Sequence, residues 1–132
     1  MRLGSALIVL LGGVAPTVLS AQEPEQPISV LDSVFTAEQA DRGEQTFMKT
    51  CIDCHLPEEF SDAGYLYSWE GQTVADFMDY LQFNMPEDNP GSLKETAYLD
   101  VMTYILGLNG IPAGNRNLDI DLAKRARIEL PS

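Results

Sequence analysis

Histidine occurs once in this sequence, tryptophan once and cysteine twice, and these scarcities close off whole classes of site. A structural zinc takes four protein ligands, drawn mainly from Cys and His, and three such side chains cannot supply them. Basic residues are also few: 8 Lys and Arg stand against 20 Asp and Glu, a formal charge of -12. Nucleic-acid phosphates are bound through Lys and Arg, so a nucleic-acid partner is excluded. Acid in this excess is attracted to a basic docking patch in a salt-dependent way, and it equally serves to keep a small protein soluble. Long apolar runs are missing too. The longest, over residues 3–11, is too short to cross a bilayer as a helix.

The scarce residues are not scattered. Both cysteines and the histidine fall in one pentapeptide, Cys51-Ile52-Asp53-Cys54-His55, the C-x-x-C-H pattern of c-type haem attachment. Thiols three positions apart share one face of a helical turn, so each can form a thioether with one vinyl group of the same ring. The histidine that follows is then held where an imidazole nitrogen can bind the iron. A thioredoxin-like redox pair needs a strand-helix-strand setting, and the flanks here read as helix. A plain disulfide gives no reason for the adjacent His55. The expectation is one haem c per chain, covalently bound through Cys51 and Cys54.

The first residues read as a secretory signal. Arg2 supplies the positive start, the apolar run follows, and Gly12, Gly13 and Pro16 break it before the small residues Ser20 and Ala21. A signal peptide is predicted over residues 1–21, with retention as an anchor the alternative. Its removal leaves seven basic against twenty acidic residues, a charge of -13, and no membrane span. Export agrees with haem attachment, which takes place outside the cytoplasm. Residues 22–35 show no apolar period and include Pro24 and Pro27; a flexible leader is expected there.

Thr36-Ala37-Glu38-Gln39 has the capping-box pattern, in which Thr meets a backbone N–H and Gln reaches back. The helix it opens carries Ala40, Gly43, Phe47 and Cys51 at helical spacing, ending at the attachment site. Gly43 costs about 1 kcal/mol against Ala in mid-helix, which suggests a second helix crossing closely there. Residues 56–71, with Phe60, Tyr65, Tyr67 and Trp69, are expected to be irregular and to wall the cofactor. Trp69 is a candidate for a haem propionate hydrogen bond, core packing being the equal alternative. Thr73-Val74-Ala75-Asp76 opens another helix with Val74, Phe77, Met78 and Leu81 on its apolar face. Ser92-Leu93-Lys94-Glu95 reads as a further capping box, opening a helix with Ala97, Val101, Tyr104, Ile105 and Leu108 on one face. That helix is expected to cross at Gly43 and Phe47, with Tyr104 as the aromatic contact. Arg116, Lys124, Arg125 and Arg127 make the tail basic, so that it either folds back on the acidic domain or marks a contact site.

A sixth iron ligand is expected at Met85. Of the five methionines, Met1 leaves with the signal, Met48 lies one turn before Cys51, and Met78 and Met102 sit in apolar helical patterns where Met fills core gaps. Met85 alone lies in a loop, thirty residues beyond His55, and Pro86 both stiffens that loop and favours an extended Met85. A second histidine is ruled out by count; lysine ligation and an open sixth position are the alternatives.

These features together resemble the class I cytochrome c superfamily over residues 36–114. The runs Trp69-Glu70-Gly71-Gln72-Thr73-Val74, Met85-Pro86-Glu87-Asp88-Asn89-Pro90-Gly91-Ser92-Leu93 and Leu108-Asn109-Gly110-Ile111-Pro112-Ala113-Gly114 look like small bacterial monohaem cytochromes. Members of that group occur alone or joined to periplasmic quinoprotein dehydrogenases. The resemblance implies an all-α domain of the class I cytochrome c fold wrapped round one haem, with His55 as proximal and Met85 as distal ligand; Trp69 and Pro86 are further candidate cofactor-binding residues. A C-terminal extension over residues 115–132 is expected to pack on or near the domain. The implied activity is transfer of single electrons in the periplasm, from a dehydrogenase donor to an oxidase or reductase, by a carrier that is not itself an enzyme. It would be a monomer or a subunit of a dehydrogenase complex. A dedicated electron-accepting subunit is the first alternative, and a sensor or peroxidase with a displaceable sixth ligand the second. One departure stands out: many class I members have a proline about ten residues after the motif whose carbonyl orients the imidazole, and here the nearby proline is Pro57. The hydrogen-bond partner of His55 is therefore not named by the resemblance.

Overall fold

Why the chain turns helical at Thr36 is visible in its first hydrogen bonds. The structure, a computed structural model, describes residues 27–132; the predicted signal and the first residues of the leader lie outside them. Thr36 takes the N-cap position and its hydroxyl accepts from the Gln39 N–H at 3.2 Å, satisfying one of the four amides that open a helix. The first helix, α1, then runs Ala37–Thr50. Gln39 does not reach back as a capping box requires. Its amide is buried and clasps the main chain of Leu118 twice, donating to the carbonyl at 2.9 Å and accepting from the N–H at 2.7 Å. Two main-chain partners in a water-free setting outweigh one exposed contact.

Residues 56–71 are not irregular throughout. Two short helices occupy them, α2 (Glu58–Ser61) and α3 (Ala63–Tyr67), the second capped by Asp62. Both are too short to show a helical period in sequence. Next, α4 runs Val74–Asn84 behind a complete Thr73/Asp76 capping box. The following helix, α5 (Glu95–Leu108), starts two residues later than Ser92 would place it, with Lys94 at the N-cap and no side-chain cap. The Ser92 N–H is instead tied to the Asn89 carbonyl in the preceding turn. Tyr98, Leu99, Val101, Met102, Thr103, Ile105 and Leu106 are all buried on α5, so it is covered around most of its circumference rather than on one stripe. It is the core helix, with α1, α2 and α4 against it.

The crossing of α1 and α5 is the most extensive helix contact. At Gly43 the Asp100 carbonyl occupies the place a Cβ would take, with the Tyr104 Cβ close by. Phe47, one turn on, meets Tyr104 ring to ring at 5.5 Å, as the sequence led one to expect. Beside the crossing Arg42 pairs with the Asp100 carboxylate through two contacts of 3.0 and 3.2 Å. With Arg42 half exposed the pair contributes about 0–1 kcal/mol.

The leader expected over residues 22–35 is packed structure from Ile28 onward. A short strand, β1 (Ile28–Ser29), is followed by a single turn of 3-10 helix, Val30–Asp32, and Val30, Val34 and Phe35 are fully buried. The strand pairs in parallel with β2 (Ala126–Arg127), just after α6 (Ile120–Ala123). The basic tail folds back. Leu118, Leu122, Ala123, Ala126 and Ile128 are buried, and the Arg127 guanidinium donates to the Gly71 carbonyl at 2.7 Å. The described residues therefore form a mostly helical bundle of six α-helices closed by a two-stranded seam, and none of these helices is long and apolar enough to cross a membrane.

Two outcomes are expected. Gly43→Ala would gain about 1 kcal/mol from helix propensity alone, but forcing the helices apart costs roughly 1–3 kcal/mol; a lowered urea midpoint checks that the crossing dominates. The Thr73 hydroxyl and then its N–H hold the Asp76 carboxyl below its ordinary range, with Arg127 adding to the effect. Its contribution is thus present above the unfolded carboxylate value and lost as pH falls through the lowered one. Asp76→Asn should cost about 0.5–1 kcal/mol at neutral pH, and urea unfolding in acid should show that difference vanish.

Candidate functional site

The Cys51-Ile52-Asp53-Cys54-His55 segment is the unwinding end of α1. Cys51 and Ile52 both donate their N–H to the Phe47 carbonyl, at 2.8 and 3.1 Å, and Cys54 and His55 donate to the Cys51 carbonyl at 3.1 and 2.9 Å. The segment is thereby curled into one tight turn whose side chains face a cavity of about 900 Å³, at the upper end of the range for small-molecule and cofactor sites. Cys51, Cys54 and His55 line it from one side of the sequence; Met85 and Pro86 line it from another, with Trp69 in the wall. All six residues singled out in the sequence meet there. A second, open depression of about 710 Å³ beside Gly114 is lined by neither cysteine, histidine nor methionine.

Both cysteines are free thiols. Burial pushes the Cys51 thiol up, so it stays protonated at neutral pH, the form least prone to oxidation. The walls are apolar and aromatic. Phe47, Phe60, Tyr65, Trp69, Tyr80, Leu81, Leu93, Val101 and Ile105 contribute. Edge contacts join Phe47 to Phe60 at 5.5 Å and Phe60 to Tyr65 at 4.8 Å, and Trp69 stacks on buried Phe77 at 4.3 Å. The Tyr65 hydroxyl is pushed up to about 12, by burial first and then by Tyr80, so it is neutral at any physiological pH. The acidic residues of the site, Asp53, Glu59, Glu87 and Asp88, are all exposed and line the cavity with these rings.

His55 is held on two sides. Phe60 meets its ring edge-on at 5.5 Å, and Nδ1 lies 3.2 Å from the Glu59 carboxylate. A carboxylate can only accept, so this contact fixes the proton on Nδ1 and leaves the lone pair on Nε2, the nitrogen then able to bind a metal. Met85 is the C-cap of α4, in extended geometry with φ -129° and ψ 150°; the Met85–Pro86 peptide is cis. Its N–H donates to Leu81 at 2.8 Å. Its carbonyl accepts from the Tyr98 hydroxyl at 2.7 Å and from the Gly91 N–H at 3.3 Å. Met48 is half exposed, and Met78 and Met102 are core side chains.

Three residues that organise the site escaped sequence reasoning. Glu59 was legible in principle, since i and i+4 share a helical face. Tyr98, thirteen residues from Met85, left no local signal. Nor did Asn109, whose amide donates to the Phe60 carbonyl at 2.7 Å and to Ile105 at 2.8 Å, fastening α2 to the end of α5. Comparison with protein-family models, with curated proteins and with solved structures finds no match, so the interpretation rests on these residues and their chemistry.

Tyr98→Phe removes a neutral hydrogen bond while the Gly91 N–H still satisfies the Met85 carbonyl. A loss of about 1 kcal/mol is expected, read by urea unfolding, together with faster amide hydrogen exchange over residues 85–91.

Proposed function

We propose that the protein is a monohaem c-type cytochrome of the class I fold, carrying single electrons between periplasmic redox partners. What supports this reading is the convergence on one apolar cavity of Cys51, Cys54, His55 and Met85, residues from two segments thirty positions apart. The donor set fits a haem c: two thiols for the covalent bonds, one imidazole with its Nε2 lone pair available, and one thioether. When bound, the haem supplies one-electron chemistry through ferric and ferrous iron, with thioether ligation and an apolar setting favouring the ferrous state.

The remaining work falls to the polypeptide. Cys51 and Cys54 would hold the ring at the end of α1, His55 and Met85 would supply the iron ligands, and Met85 is presented by a loop tied down at its own carbonyl. The rings of Phe47, Phe60, Tyr65 and Trp69 give the cavity an apolar wall, which would lower the reorganisation that accompanies a change of charge. With His55 and Met85 both engaged, a bound haem would have no iron position free for oxygen or peroxide. The acidic residues of the site, on a chain of formal charge -12, suit a donor or acceptor with a basic docking face and a short-lived, salt-sensitive contact.

A dedicated dehydrogenase subunit is the second reading, favoured by two exposed aromatics of α4, Tyr80, which lines the cavity and is 55% exposed, and Phe83, 82% exposed. A complex that survives moderate salt would select it. The apolar tail residues are committed to the core, while Arg116, Lys124 and Arg127 stay exposed on its outer side.

The deciding experiment expresses the full chain with a c-type maturation system. Haem is expected to stay with the polypeptide through denaturing electrophoresis and to be lost in the Cys51→Ser, Cys54→Ser double variant; haem that dissociates from the wild type rejects the reading. Met85→Ala should lose the weak sulfur-to-iron absorption band and gain carbon monoxide binding when reduced. A wild type that binds carbon monoxide at neutral pH would instead select the sensor or peroxidase.

A further inference from the structure

We infer that Glu59 is a positioning residue for His55 and, through it, sets how strongly the site holds its electron. This rests on the haem reading above. The observation is the 3.2 Å contact between the His55 Nδ1 and the Glu59 carboxylate, standing where no proline carbonyl is available. Its geometry is built rather than incidental. Pro57 and Leu56 accept from the Phe60 and Glu59 N–H groups at 3.0 Å each, so α2 begins at once after His55. Phe60 then anchors the helix, buried between Phe47 and Tyr65 and edge-on to the His55 ring. Asn109 fastens the Phe60 carbonyl to α5. Glu59 is therefore carried by a short helix fixed on its far side, with its carboxylate delivered to the imidazole from four residues away.

A carboxylate accepting the Nδ1 proton makes Nε2 a stronger donor than a neutral carbonyl does. More electron density at the ligand favours the more positive iron, so the ferric form is stabilised and the potential falls. This opposes the rise that an apolar pocket and a methionine ligand produce. Glu59 is about half exposed and His55 one-third exposed, so solvent screens part of the effect. The direction is unchanged.

The test is a redox titration of the haem-loaded full chain, followed by its visible bands. Glu59→Gln keeps a hydrogen-bond acceptor and removes the charge. At the ambient potential where the wild type is half reduced, the ferrous-to-ferric ratio is expected to rise on the order of tenfold, a shift of about 59 mV for one electron. Glu58→Gln removes the same charge from the neighbouring residue, which does not touch His55, and should stay within about twofold. Glu59→Asp, which retains the charge, should lie closer to the wild type than Glu59→Gln does. A Glu59→Gln ratio within about twofold of wild type, or equal to that of Glu58→Gln, overturns the inference. A wild type that takes up no haem, seen before any titration, overturns the cytochrome reading and this inference with it.

Discussion

Everything about the site hangs on how closely two helices approach at Gly43. The Asp100 carbonyl fills the space of the missing side chain, so α1 and α5 touch backbone to backbone there rather than through two layers of side chains. That approach fixes the direction in which α1 ends, and the curled Cys51–His55 turn is its end. It also brings Tyr98, Val101 and Ile105 of α5 to the other side of the same cavity. A side chain at position 43 would move the Cys51–His55 turn relative to the Met85 loop, because α5 carries the Tyr98 hydroxyl that holds that loop.

The two flanks of the cavity are restrained by different means. On the histidine side the restraint is mostly local, a helical turn, an adjacent helix and an aromatic ring between Phe47 and Phe60, with Asn109 as the one distant fastening. The methionine side depends on distant contacts, the Tyr98 hydroxyl and the Gly91 amide closing on one carbonyl. On the proposed reading, the covalent side needs little help from the rest of the fold, whereas the methionine ligand is only as firm as the contact between its loop and α5.

Much of this was legible because the chemistry-bearing residues are so scarce. One histidine and two cysteines in five positions leave little to choose between, and four of five methionines could be set aside by their surroundings. The Gly43 crossing was legible for a similar reason: a glycine in an apolar helical pattern has a cost that close packing offsets. Short elements were not legible. A four-residue helix such as α2 shows barely one turn of period, and a two-residue strand such as β1 shows none, so residues 28–35 read as leader although Val30, Val34 and Phe35 are core. Ser92 misled because a capping pattern states only that a helix can begin there; the Asn89 carbonyl claimed its amide first. Gln39 and Tyr98 bond across 79 and 13 positions, where spacing carries no information.

The parallel pairing of Ile28–Ser29 with Ala126–Arg127 makes the two ends of the described chain a single joint. Closing it fixes a loop of nearly a hundred residues, among the costliest closures in chain entropy of the described residues, while the α1 turn and the Thr73 cap are local and form at little such cost. Order of assembly follows from that difference. The turn that carries Cys51, Cys54 and His55 is therefore made early, while the two ends are still apart, and the seam that joins them is made last.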